Sequence, residues 1–189
     1  MVKKYLSRTY AFLVYLFLYM PIFLLILFSF NDSRYGGRWQ GFTFKWYTEL
    51  FSDGSIMESL YTTIIVAVIA SIISTVIGTI SAIAIHNMSP RKKAILTNLS
   101  YIPMVNPDIV IGISLLSFFS ILNLKLGYIT LILAHITFNI PYVIFAVLPK
   151  LQQLNPNIEE AALDLGATPI QAFFKVILPE IMPGIITGS

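Results

Sequence analysis

The chain of 189 residues contains no cysteine, which excludes disulfide frameworks and thiolate metal sites. Charge is scarce too: Asp, Glu, Lys and Arg make up 11% of the residues against 57% hydrophobic, and the mean hydropathy is +0.80. So few polar groups cannot cover the surface of a soluble domain of this size, and that class is excluded. The GxxxxGK[ST] phosphate-binding loop is missing, so nothing here binds ATP and any ATP-driven engine must be another chain. Repeats and low-complexity linkers are lacking as well, and residues 1–189 read as a single domain. The formal net charge of +3 is small and split by position along the chain, which is a topology signal rather than a nucleic-acid footprint. No cofactor and no metal site is expected.

What the chain has is long apolar runs. A helical crossing of a bilayer takes about 20 apolar residues, and four stretches qualify: 11–30, 64–85, 96–122 and 129–148. The expected fold is therefore all-α, a polytopic helical membrane protein. Lys3, Lys4 and Arg8 precede the first stretch, Arg91, Lys92 and Lys93 separate the second and third, and Lys150 and Lys175 follow the fourth. The positive-inside rule makes these sites, and with them the N-terminus, cytoplasmic. Residues 31–59 are then external; there Arg34, Arg38 and Lys45 are balanced by Asp32, Glu49, Asp53 and Glu58, and the turn near Lys125 lies on the same side. A cleaved signal peptide would need a shorter apolar region and a small-residue cleavage site, and Phe28-Ser29-Phe30-Asn31 is not one. In the second stretch Ala67, Ser71, Ser74, Gly78 and Ala82 recur at three- and four-residue spacing, a surface for close helix packing in lipid.

Two places could meet a solute. Asp108 is the single acidic residue between Lys93 and Lys125 and lies about midway between them, roughly 20 Å from each along a helix rising ~1.5 Å per residue. A carboxylate at that depth costs several kcal/mol unless it faces water, a partner or a ligand. Pro103 and Pro107 should kink or interrupt the third stretch around it, and broken helices are a recurrent way to build substrate sites. Asn106-Pro107-Asp108 would alternatively cap the second half of that helix, where the dipole favours an anion. The external segment carries Tyr35, Trp39, Phe42, Phe44, Trp46, Tyr47 and Phe51. These form an interfacial belt, and an organic cation passing there would find a cation–π partner, for which Trp46 is the expected ring. His135, inside the fourth stretch, is expected to be a buried interhelical hydrogen-bonding group. With Gly112-Ile113-Ser114 it would otherwise suggest an intramembrane serine protease, but that pattern lacks its second glycine.

The last polar segment reads as two short helices. Asn155 is a natural N-cap, with Pro156 at the first helical position and Glu159 and Glu160 in the first turn. Gly166 ends the first helix as a left-handed C-cap. Thr168-Pro169-Ile170-Gln171 opens the second with a capping box, and Pro179 is expected to end it. Apolar stripes run along both: Ile158, Ala161, Ala162 and Leu165 on one, Ile170, Phe173, Phe174 and Ile177 on the other. Such a pair must pack against its own protein or against a partner.

Glu160-Ala161-Ala162, three residues, Gly166, then Val176-Ile177-Leu178-Pro179 resembles the cytoplasmic coupling loop of ABC importer permeases, with Val176 where Ile is usual. Further matches spread over most of the chain: Ser29-Phe30-Asn31, Trp39-Gln40-Gly41-Phe42-Thr43, Lys45-Trp46-Tyr47, Pro107-Asp108-Ile109-Val110, Ile113-Ser114-Leu115-Leu116 and His135-Ile136-Thr137-Phe138. Together they resemble the second permease subunit of bacterial spermidine/putrescine importers. That resemblance implies a type I ABC importer transmembrane domain in the bacterial inner membrane, with a cytoplasmic ATPase dimer, a paralogous permease subunit and an external polyamine-binding protein as partners. It also implies roles. Glu160, Ala161, Ala162, Gly166, Leu178 and Pro179 would couple to the ATPase within a loop over residues 151–179, and Trp46 and Asp108 would line the polyamine pathway. A carboxylate in the membrane and rings at the entrance suit a protonated polyamine better than a sugar or an anion; an importer for ferric iron or thiamine is the alternative. Members of the family continue into two further spans past this loop, so the expectation is four complete spans and the start of a fifth, incomplete at the C-terminus.

Overall fold

In the computed structural model the described residues are 2–33 and 37–189, with side chains described for residue 5 and from residue 7 onward. Arg34 and Tyr35 of the external segment, and the side chains of Lys3 and Lys4, lie outside them. The regular structure of the described chain is helical, apart from a single isolated bridge between Asn31 and Phe42. It divides into two compact units, Met1–Tyr61 and Thr62–Ser189.

The first unit begins with α1 (Val2–Ser29), a helix apolar enough over Ser7–Ser29 to cross a membrane. The chain then turns back on itself, and the Asn31–Phe42 bridge closes the hook through Asp32 N–H to the Gly41 carbonyl (3.0 Å) and Thr43 N–H to the Phe30 carbonyl (2.7 Å). This brings Phe42 flat against Phe30, with ring centroids 5.3 Å apart, and sets Phe44 edge-on to both. The aromatic residues of the external segment thus stack on one another while Trp39, Phe42, Phe44 and Phe51 all remain exposed, as an interfacial belt requires. α2 (Lys45–Ser52) follows. The Asp53 carboxylate then accepts from the N–H groups of Ser55 and Ile56 (2.9 and 3.2 Å) and starts α3 (Gly54–His86).

At 33 residues α3 is roughly 50 Å long, well beyond the ~30 Å of bilayer hydrocarbon, because it begins ten residues before the apolar stretch does. Its buried face in the second unit is Val66, Ala70, Ser74, Gly78, Ala82 and Ile85. The small-residue stripe is therefore right at Ser74, Gly78 and Ala82 and one residue out further up, where Ala67 is exposed and Ala70 is the buried residue.

The third stretch is not one helix. α4 (Pro90–Val105) and α5 (Asp108–Ile121) meet at a bend of 103°. Pro103 sits inside α4 without ending it; the break falls at Pro107. Residue 106 is held extended by the proline after it, and its amide N–H and side-chain Nδ2 both donate to the Ile102 carbonyl (3.2 and 2.9 Å). A depth for Asp108 reckoned along a straight helix consequently does not hold.

α6 (Tyr128–Gln153) is the centre of the second unit. Its Val143, Ile144, Val147, Leu148 and Leu151 are at most 4% exposed and share a core with Ala82 and Ile85 of α3 and with Ile181 further on. Glycines bring the neighbouring backbones close. A methyl group at Gly78 would lie 2.6 Å from Val143 Cβ, one at Gly184 2.7 Å from the Ala146 carbonyl oxygen, and one at Gly188 2.9 Å from Val143 Cα. Gly184 and Gly188 form the small-xxx-small pattern of tightly packed membrane helices.

After α6 come α7 (Ile158–Asp164), α8 (Pro169–Ala172), a π-helical turn (Phe173–Ile177) and α9 (Leu178–Gly188). Here the sequence reading needs two corrections. α7 starts two residues later than expected, because Asn155 uses its Oδ1 on the Asn157 N–H (3.0 Å), an Asx turn around Pro156 instead of a cap. The helix after Gly166 does not stop at Pro179 but runs on to Gly188, and Pro169–Gly188 is long and apolar enough to cross a membrane. A proline ring clashes with the carbonyl four residues back, here Lys175. The turn before it widens by one residue, with Leu178 N–H donating to the Phe173 carbonyl five residues back, and the helix passes.

Candidate functional site

The hairpin between α6 and α9 is built by local rules. At the end of α7 the Gly166 N–H donates to the Leu163 carbonyl (2.9 Å) and the Ala167 N–H to the Ala162 carbonyl (3.1 Å), with Gly166 at φ +86°. This is a Schellman closure, and it needs the left-handed conformation that a residue without Cβ adopts freely. One residue later the Gln171 N–H donates to Thr168 Oγ1 (3.3 Å) and the Thr168 N–H to Gln171 Oε1 (3.0 Å), the reciprocal capping box. Two helices are thereby fixed on either side of four residues, Leu165 to Thr168.

The outer face of this hairpin is bare. Glu160 and Ala161 are exposed and Ala162 is half-buried; Leu165 is 90% exposed, Ile170 70% and Phe174 60%. Leu178 is half-buried against the α6 core, and Pro179 is exposed. The apolar stripes are therefore only partly spent on the chain's own surface: Ile158, Ala162, Phe173 and Ile177 are half-buried, whereas Leu165, Ile170 and Phe174 stand open, and fully burying one such side chain is worth about 1.5–3 kcal/mol. Behind the hairpin a cavity of about 390 Å³ lies against the ends of α3 and α6, lined by His86, Asn87, Gln152, Asn155, Glu159 and Phe173 among others.

Asp108 is the first residue of α5, at the 103° break. Its carboxylate is exposed and has no hydrogen-bond or ion-pair partner among the described residues. Both sequence readings of this residue survive in geometry: the position suits the helix dipole, and the charge is free for a ligand. Ser114 Oγ donates to the Val110 carbonyl (2.7 Å) and His135 Nδ1 bonds the Leu131 carbonyl (2.8 Å), each on its own helix. No serine–histidine pair is formed between them, and His135 is exposed rather than a buried link between helices, because an exposed imidazole finds its nearest acceptor one turn back.

In the first unit Trp46 is half-buried. Its Nε1 donates to the Asn31 carbonyl (2.8 Å), which fixes the plane of the indole. Asn31 itself is 1% exposed and bonded at both side-chain ends: Nδ2 donates to the Arg38 carbonyl (2.8 Å), and Oδ1 accepts from the Gln40 N–H (2.7 Å) and the Ser33 N–H (3.4 Å). Ser29 Oγ and Tyr47 Oη share a bond of 2.7 Å nearby. A cavity of about 510 Å³ opens among Leu25, Phe28, Ser29, Asn31, Trp46 and Tyr47. The Lys45 ammonium lies over the Trp46 ring, 5.1 Å from its centroid, and 4.0 Å from the Glu49 carboxylate. The sequence singles out Trp46 but not Asn31, which fixes its indole; apart from the local Ser33 N–H, the side-chain partners of Asn31, Arg38 and Gln40, come from the returning segment of the hook. Gly184 and Gly188 were also missed, although their spacing was a readable signal.

Residues 74–189 match the family model for the binding-protein-dependent transport system inner membrane component. The spermidine/putrescine transport system permease protein PotC of Haemophilus influenzae is 36% identical over 188 residues, covering 100% of this chain and 73% of that protein. The protein of the same description from Escherichia coli is 37% identical over 188 residues, covering 100% of this chain and 71% of its own length. The putrescine transport system permease protein PotI of Escherichia coli is 37% identical over 179 residues, covering 91% of this chain and 64% of that protein.

Proposed function

The chain belongs to the family of binding-protein-dependent transport system inner membrane components, and we propose that it forms part of the path by which an ATP-driven importer carries polyamines, spermidine or putrescine, across the bacterial inner membrane. It is a permease subunit, and ATP hydrolysis belongs to a separate chain. The observation that carries a cationic substrate is Asp108, a carboxylate without a partner at the point where a membrane helix is broken. The relatives named for spermidine and putrescine support the same substrate class. Trp46 offers the other group that a protonated amine seeks, a pinned aromatic face.

The partners are a cytoplasmic ATPase dimer, a paralogous permease subunit and an external polyamine-binding protein. The ATPase takes the bare face of the hairpin: Glu160 meets a basic residue, Ala161 and Ala162 let the helix seat closely, and Gly166 makes the bend. Leu178 and Pro179 join this face to the next span. The N-terminus, the loop at Arg91, Lys92 and Lys93, and the hairpin are cytoplasmic, and the Trp46 segment is external.

The test is uptake of radiolabelled spermidine in cells that lack polyamine transport, comparing the importer carrying this chain with its Asp108→Asn variant. Loss of most uptake at unchanged membrane abundance is expected. Undiminished uptake by Asp108→Asn would leave Asp108 as a helix-capping residue and remove the main support for a cationic substrate.

A further inference from the structure

Lys45 stands where local rules would not put it. It is the first residue of α2, where the helix dipole disfavours a cation. Its contact with Glu49 is long, and both side chains are more than half exposed, so it anchors little. What holds the ammonium is the face of Trp46. The two partners differ in freedom: the indole is pinned by its bond to the carbonyl of the buried Asn31, whereas the lysine has a long exposed stem and no other strong tie. Trp46 also forms a wall of the 510 Å³ cavity, and Lys45 does not.

Resting on the reading of Trp46 as part of the polyamine pathway, we propose that Lys45 is a specificity-determining residue, a tethered primary ammonium that competes with the substrate's own ammonium for the Trp46 ring and so keeps that site weak. A ring that already serves one cation gives less to a second, and the second is repelled by the first across it. Weak holding is what a pathway requires, since a solute must be able to leave each station it enters.

Uptake kinetics of the assembled importer test this with Lys45→Met and Lys45→Gln, which remove the charge, and Lys45→Arg, which keeps it. KM for spermidine should fall about two- to five-fold in the first two with kcat no higher, and should stay at the wild-type value in the third. In a Trp46→Leu background Lys45→Met should leave KM where Trp46→Leu alone puts it. A fall in KM there as well would mean that Lys45 acts as a general surface charge, which overturns the proposal. Unchanged KM in both charge-removing variants while Trp46→Leu impairs uptake would overturn it too, leaving the pathway intact. Wild-type uptake by Trp46→Leu would instead sink the pathway reading itself. An optical readout is independent of transport: with Trp39→Phe, Trp46 is the remaining tryptophan, and its emission should respond to spermidine at lower concentration in Lys45→Met than with Lys45 present.

Discussion

Asn31 and Gly166 mark the two extremes of what single residues disclose. Gly166 was legible because everything that fixes it lies within a few positions: helix before, capping box after, and a positive φ between. A valine there meets the ~1–2 kcal/mol cost of the left-handed conformation for a branched side chain. The hairpin will then open at the bend, so Gly166→Val should abolish coupled uptake while the chain still reaches the membrane. Glu160→Lys reverses charge on the exposed face and should weaken co-purification of the ATPase without disturbing the hairpin, since the Glu160 side chain has no partner among the described residues. Undiminished co-purification with both changes would mean that the hairpin is not a docking element. Asn31 was not legible, because three of its four contacts, to Arg38, Gln40 and Trp46, come from a chain reversal that no local pattern announces.

At the level of elements, hydropathy located the apolar segments well and proline only half-informed their shape. Pro107 announces a break, but the 103° between α4 and α5 depends on what each half packs against, chiefly α6. Pro179 was read as a stop when it is a widening. In the π turn two effects compete: closing it into an α-helix would regain about one hydrogen bond, ~1 kcal/mol, but would swing α9 by roughly 100° and unseat Ile181 and Gly184, fully buried and close-packed respectively, at several kcal/mol. Packing wins, so Pro179→Ala alone should keep the wide turn. Deleting one exposed residue of it, Lys175, in the Pro179→Ala background should return an ordinary helix with α9 still seated, and the protein should accumulate normally. Deletion of Met182, one turn further on, should not be tolerated, because no slack exists there; equal membrane abundance of the two deletions would show that the turn holds no spare residue.

For the whole molecule the expected orientation follows from charge alone and can be checked on a chain without cysteine. Single cysteines at Ser33 and Ser89 should respond oppositely to an impermeant thiol reagent on intact cells, Ser33→Cys labelled and Ser89→Cys protected; the reverse pattern would invert the topology. The core of the second unit, by contrast, joins helices far apart in the chain: Ala82 and Ile85, then Val143 to Leu151, then Ile181. α6 packs closely on Gly78 of α3 and on Gly184 and Gly188 of α9, with Gly78 and Gly188 both facing Val143, and the second jaw, α9, follows α6 in the chain and so leaves the ribosome later. Insertion and assembly are thus separate events in time. Until α9 emerges, the α6 face at Val143 and Val147 can rest against lipid at small cost, because lipid tails are as apolar as the side chains that later replace them. What the waiting chain lacks is contact, not dryness. A bulky residue in the second jaw, Gly184→Leu, should therefore yield a protein that resists alkaline extraction from the membrane yet is cut readily by protease, a fully inserted but unassembled intermediate that membrane quality control would meet as a long-lived client.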